Sequence, residues 1–267
     1  MRTILLALAF PVMLATAPAQ AQTLEPFKIY DRFGDKAIDP ARWQDNEKIR
    51  VIRGGSMQLM QRTYGLGSSD TGVTPTNWHS NLSSPFATTA LKARITVTAL
   101  ETQACPSNPA AGDARARILG SFFNRSTPTA GSQLNDVIGQ VRLFRASSST
   151  DPAGLLRVQG ILYYCSSADC SSSTTIGNVV DLGTVMVGTP TTVEMRWDKA
   201  GKTFYFSREG GLTGTVAYAE NDASLPSFLF KQLSTRVVVP SCLSAPRVSG
   251  LVDALFDNVF VNQSAAP

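Results

Sequence analysis

The chain has 267 residues, of which 24 are Lys or Arg, 20 are Asp or Glu and one is His, for a formal net charge of +4. So mild a balance, without any polybasic run, argues against nucleic acid as a partner. The four cysteines and the one histidine lack the spacing of a zinc site, and 8% aromatic residues with 43% hydrophobic ones are ordinary for a globular domain.

Residues 1–21 have the layout of a cleaved secretory signal. Arg2 supplies the positive start, Ile4–Leu14 the apolar run, and Ala19-Gln20-Ala21 the small-x-small cleavage site. The run is too short to span a bilayer, no cysteine at the cleavage site offers a lipid anchor, and no later segment is apolar enough to cross a membrane. An exported protein, periplasmic or extracellular and without membrane insertion, is therefore expected. Cleavage would leave 246 of the 267 residues at a net charge of +3, because Arg2 is the one charged residue lost. That length suits a single β-domain over 22–267.

The remainder punctuates like an all-β protein, with short runs of Val, Ile, Phe and Thr between Gly, Pro, Asn and Ser clusters. Ile49–Ile52, Arg53-Gly54-Gly55-Ser56 and Met57–Met60 predict a hairpin. Leu91–Leu100 alternates Ala93, Ile95, Val97 and Ala99 against Lys92, Arg94, Thr96 and Thr98, the mark of a strand with one face buried. Arg115–Phe123, Val137–Arg145 and Leu155–Tyr164 predict three more strands, separated in part by the Ser-rich loop Ser147–Ala153. Ser166–Thr175 reads as a second such loop. Val179–Gly211 reads as a strand, a turn, a strand around Met195 and Trp197, a tight turn over Asp198–Lys202, and a return strand Phe204–Ser207. Ala254–Val261 closes the chain as a strand set beside the first one. Trp197 shares the side of Val193 and Met195 and belongs to the core, whereas Trp78 falls in a polar stretch read as a loop.

Export favours disulfides over thiolates. Cys165 and Cys170 flank a Ser-Ser-Ala-Asp loop and are paired with each other, which leaves Cys105 and Cys242 as a pair by elimination.

Three segments carry a resemblance. Tyr30-Asp31-Arg32-Phe33-Gly34 with Ile38-Asp39 and Arg42-Trp43, Met195-Arg196-Trp197-Asp198 with Phe204-Tyr205-Phe206, and Phe256-Asp257-Asn258-Val259 resemble segments of the concanavalin A-like lectin/glucanase superfamily, in its laminin G-like and laminarinase-like branches. The resemblance implies a two-sheet antiparallel β-sandwich of jelly-roll type in which one concave sheet usually faces the ligand. It implies no activity, since lectins, hydrolases, lyases and inert modules share that frame. It also implies a place for structural calcium at Asp257, and a packing role for Trp43.

The reactions hosted by that frame leave recognisable residues. Retaining glycoside hydrolysis needs two carboxyl groups about 5 Å apart, and two positions apart on one strand puts them on one face. The nearest matches are Glu220-Asn221-Asp222, which reads as a loop, and Glu194 with Asp198, which belongs to a turn. Lyases that resemble this frame use a Gln-x-His strand, an Arg-rich strand and a tyrosine; His79 follows no Gln at that spacing and reads as a loop or surface histidine. A Gly-x-Ser-x-Gly elbow and a phosphate-binding loop are absent.

What the strands do offer is arginine, which outnumbers lysine 17 to 7. Arg115, Arg117, Arg142, Arg157 and Arg196 share the polar parity of their strands with Gln140 and Gln159, and Tyr163 shares the parity of Arg157. Side by side, they would form a face suited to an anionic glycan, through two-pronged hydrogen bonds and aromatic stacking. Trp78 is a further stacking candidate. The plainer alternative is a solvated outer face whose charges discourage edge pairing. The expectation is a non-catalytic, lectin-like protein for acidic glycans. A polysaccharide-degrading enzyme and a structural or interaction module of the cell envelope are the alternatives, with no cofactor beyond calcium.

Overall fold

A computed structural model describes residues 47–83, 85–243 and 247–265. The signal segment 1–21 and the opening motif from Tyr30 to Trp43 lie outside the described residues. Two antiparallel sheets face one another. The first runs, edge to edge, β1 (Glu47–Arg53), β2 (Ser56–Tyr64), β13 (Ser249–Val261), β4 (Ala90–Thr102), β9 (Thr191–Asp198), β10 (Thr203–Arg208) and β11 (Leu212–Ala217). The second runs β3 (Val73–Asn81), β12 (Lys231–Pro240), β5 (Asp113–Asn124), β6 (Asp136–Ala146), β7 (Leu155–Cys165) and β8 (Ser173–Met186). This is a jelly-roll β-sandwich, the architecture that the sequence predicts.

Alternation decides which side chains meet between the sheets. From the seven-stranded sheet come Leu59, Ala93, Ile95, Val97, Val193, Met195, Phe204, Phe206 and Phe256. From the six-stranded sheet come Ala114, Ala116, Ile118, Val141, Leu143, Val158, Leu162 and Val237. Trp197 packs against that core and donates its indole N–H to Tyr218 Oη at 2.8 Å. The β1–β2 hairpin turns through Gly54 and Gly55, both with positive φ. The closing strand β13 lies between β2 and β4, so it adjoins the second strand of the opening hairpin and not the first.

The structure corrects two further expectations. Residues Val73–Asn81 form the edge strand β3, paired to β12, so Trp78 does not lie in a loop, and His79 is a surface histidine on a strand. Pro75 fits there because an edge strand tolerates a missing N–H. The loop after β7 ends at Ser172, and β8 begins at Ser173, within the stretch read as loop.

Where the sheets press together, position 160 requires glycine. A Cβ on Gly160 of β7 would lie 2.4 Å from Phe206 Cγ and 2.5 Å from its Cβ. Phe206 is fully buried and has no free volume to enter. Gly160→Ala is expected to lower stability by about 1–3 kcal/mol through overpacking; a denaturant midpoint equal to that of the parent would refute this.

Candidate functional site

With Ala114, Ala116 and Ile118 turned to the core, Arg115, Arg117, Leu119 and Ser121 of β5 must point outward from the six-stranded sheet. Strand register then sets their neighbours. Arg117 stands opposite Arg142 of β6 on one side and Ser234 of β12 on the other; His79 lies beyond Ser234, and Gln159 beyond Arg142. One step along the strands, Arg115 stands opposite Arg236 and Phe144, with Asn77 beyond Arg236 and Arg157 beyond Phe144. Adjacent strands are about 4.8 Å apart, so these rows crowd guanidinium groups together.

An outer sheet face is normally wet. Here it is partly roofed. Leu119, Ile138 and Cys165 form a second apolar cluster, with Tyr163, Cys170 and Phe230 against it. Between this cluster and β3 lies a groove of about 320 Å³ whose lining includes His79, Arg117, Tyr163, Asp169, Phe230 and Arg236. The Cys165–Cys170 disulfide staples the loop that carries Asp169, and the Asp169 carboxylate is committed within that loop to Ser167 Oγ at 2.8 Å and the Ser171 amide at 3.0 Å.

The electrostatics separate the arginines into two kinds. Arg115 forks onto Asp113 and Arg157 onto Asp151, so each already has its carboxylate. Arg117 is only 4% exposed, yet its partners are neutral: Nη1 donates to Gln140 Oε1 at 3.1 Å and Nη2 to Asn77 Oδ1 at 3.0 Å. Arg142 donates to Gln159 Oε1 at 2.8 Å and lies 4.0 Å over the Phe144 ring. Among the described residues no carboxylate pairs with Arg117, Arg142 or Arg236. The Nε atom of each is buried without a partner.

Burial, reinforced by the mutual repulsion of neighbouring arginines, pulls Arg117 down to about 9 and Arg142 to about 10, and lowers Arg236 as well. An unmatched buried donor costs roughly 1–3 kcal/mol, and an uncompensated buried charge costs more. The fold thus draws three guanidinium groups together with no carboxylate paired to any of them among the described residues, Asp113 attracting them only from beyond ion-pair distance.

His79 feels the same field. Desolvation, and then Arg50, Arg117 and Lys48, hold its pKa below 6.5. The unfolded chain takes up the proton first, so stability rises with pH across the window between the lowered native value and 6.5, and is lost as pH falls through it. His79→Asn is expected to flatten the pH dependence of the melting temperature just below 6.5; an unchanged slope would refute the assignment.

No family model matches the chain, and no curated protein matches it. Solved structures show distant likeness. Alginate lyase A1-II′, of polysaccharide lyase family 7, aligns at 14% identity over 85% of this chain and 86% of that one, with a TM-score of 0.42. An endo-β-galactosidase from Clostridium perfringens that releases GlcNAcα1-4Gal aligns at 10% identity over 85% and 61%, with a TM-score of 0.38. LamAcat from Zobellia galactanivorans aligns at 7% identity over 78% of each chain, with a TM-score of 0.37. Similarity at this level concerns strand arrangement and says nothing of the groove.

The structure brings Arg115, Arg117, Arg142, Arg157 and Tyr163 onto one sheet face, and separates other candidates from it. Arg196 lies on β9 of the opposite sheet, paired to Glu194, with Lys92 at 3.9 Å from the same carboxylate. Parity along a strand is blind to sheet membership. Trp78 has the inward parity of β3 and packs against the core; it donates its indole N–H to the Ile49 carbonyl at 2.8 Å while Arg50 stacks 5.3 Å above it. It is therefore no platform in the groove. The Asp257 carboxylate accepts the Asn258 amide at 2.7 Å. Among the described residues the one group of three ligating side chains is Asp70, Cys105 and Cys242, and both cysteines are consumed in a disulfide. Asp257 is not among them. The bridges are Cys105–Cys242 and Cys165–Cys170, the pairing that the sequence predicts.

Arg236, Asn77 and His79 join the site without having been singled out for it. Arg236 was findable: Leu233, Thr235, Val237 and Val239 alternate with Gln232, Ser234 and Arg236. The signal for β3 is poorer, because Val73–Asn81 carries a proline and almost no apolar alternation.

Proposed function

We propose that this is an exported protein that binds an acidic glycan across the outer face of its six-stranded sheet. One observation carries the reading: Arg117, Arg142 and Arg236 are drawn together, partly desolvated and left without carboxylates. A solvated protective face would not need to bury its charges. Guanidinium forks match the carboxylate of a uronate or the sulfate of a sulfated sugar, and Tyr163 on the groove wall offers a ring to a sugar face. Two disulfides support export, since such bridges persist in oxidising compartments. Titration calorimetry with a polyuronate, a sulfated galactan and a neutral β-glucan tests this. The acidic polymers should bind, and their affinity should fall steeply with salt because part of the attraction is screened within about 8 Å at physiological ionic strength. Salt-insensitive binding of the neutral glucan alone would refute the proposal.

A second reading, lyase chemistry, is favoured by His79, whose pKa partial desolvation and arginine neighbours lower, in the same groove as Tyr163. Neutralising a uronate carboxylate makes its α-proton easier to remove; a neutral imidazole could accept that proton and a phenol could protonate the departing oxygen. Ultraviolet absorbance of an unsaturated uronate product, lost in His79→Gln, would establish elimination. Binding without such a product leaves the lectin-like reading standing.

A further inference from the structure

The strongest unassigned group lies away from the groove. Lys231 opens β12, and its side chain runs into the sandwich: it is 2% exposed, and a Cβ on Gly120 of β5 would stand 2.0 Å from its Cδ. That glycine is what lets the lysine pass. Its Nζ donates to the Ser121 carbonyl and to the Pro85 carbonyl at 3.3 Å, and sits 4.3 Å from the centre of the Phe122 ring. Two carbonyls satisfy both N–H groups of a neutral amine, so deprotonation leaves no donor stranded.

Lys231 also lines a cavity of about 150 Å³ with Phe86, Phe122, Trp197, Leu225 and Leu229. The charged groups that face this space are otherwise engaged. Asp222 accepts the Tyr218 hydroxyl at 2.6 Å and has Lys202 at 3.8 Å. Lys199 lies 5.7 Å over the Trp197 ring. Among the described residues no carboxylate pairs with Lys231.

We propose that Lys231 is a carbonyl-reactive lysine whose cavity admits a small uncharged aldehyde. The cavity opens to solvent past Phe86 and Leu225, and its volume matches that of a site that takes up a benzene-sized molecule, which sets the ligand class. The Nζ lone pair would add to the carbonyl carbon, the displaced N–H proton would pass to the oxygen to give a carbinolamine, and loss of water would leave a reversible imine. No oxidant or reductant is consumed. Desolvation supports the step, since it lowers the Lys231 pKa to about 7, and a lysine desolvated in an apolar pocket is a known form of activated amine. At neutral pH roughly half of it would be free amine, against well under a hundredth of an ordinary lysine.

The test exposes the intact protein briefly to benzaldehyde with cyanoborohydride, then maps the reduced adducts by peptide mass spectrometry. Lys231 should be labelled at least about tenfold faster than exposed Lys48 at neutral pH, with a rate midpoint near its own pKa. Excess toluene should slow labelling at Lys231 and leave Lys48, which lies outside the cavity, unchanged. Labelling at Lys231 no faster than at Lys48 would overturn the proposal, and so would labelling that toluene does not slow. Both comparisons use the unaltered chain, so loss of folding cannot imitate either result.

Discussion

Arg117→Leu is expected to abolish most polyanion binding while leaving the unliganded protein as stable as the parent, or more so. Arg117 is nearly inaccessible, pairs with no carboxylate among the described residues, and keeps an unmatched Nε. An uncompensated buried charge carries a desolvation cost that its removal relieves. Truncating one partner of a buried charged contact, by contrast, costs a complex about 2–5 kcal/mol, or roughly 30-fold and upward in affinity. Arg157→Leu is the control: its fork is already closed on Asp151 at 2.7 and 3.0 Å, so affinity should shift by only about threefold. Calorimetric titration and thermal melts on both variants decide the matter. A destabilised Arg117→Leu that still binds normally would make Arg117 a structural residue and remove the basis for the proposed function.

The second large effect is expected from the disulfides, one acting mainly on the fold and the other mainly on the groove. Cys105 and Cys242 are buried in the core and link positions 137 residues apart, just beyond β4 of one sheet and β12 of the other. Removing both by Cys→Ala should cost about 5 kcal/mol in the chain-entropy account, because so long a loop is closed in the unfolded chain. Cys165 and Cys170 are only five apart, and the same account assigns about 2 kcal/mol. Their bridge holds the groove wall, so its removal should weaken polyanion binding more than it weakens the fold. Denaturant midpoints for the two double variants, set beside their polyanion affinities, test this. Equal loss of stability would show that the short bridge constrains more than its own loop.

The sequence by itself determined the class of fold and most of its strands. Leu91–Leu100 and Val193–Trp197 alternate so regularly that only a half-buried strand satisfies them, and Gly54-Gly55 marks the turn of the first hairpin. The short disulfide was legible from its loop, and the long one from what remained. The outward parity of Arg115, Arg117, Arg142 and Arg157 was legible too, because side-chain direction in a strand is a local property with period two. Tertiary structure alone decided the rest. Arg196 has the same kind of parity as Arg117 and lies on the other sheet, since strand order is a non-local choice among partners far apart in the chain. His79 and Arg236 reach the groove because β3 and β12 pair across more than 150 residues. What distinguishes Arg117 from an ordinary surface arginine is the roof built over the sheet by Phe230 and the Cys165–Cys170 loop. Alternation tells a residue which way to face; only packing decides whether water will be there.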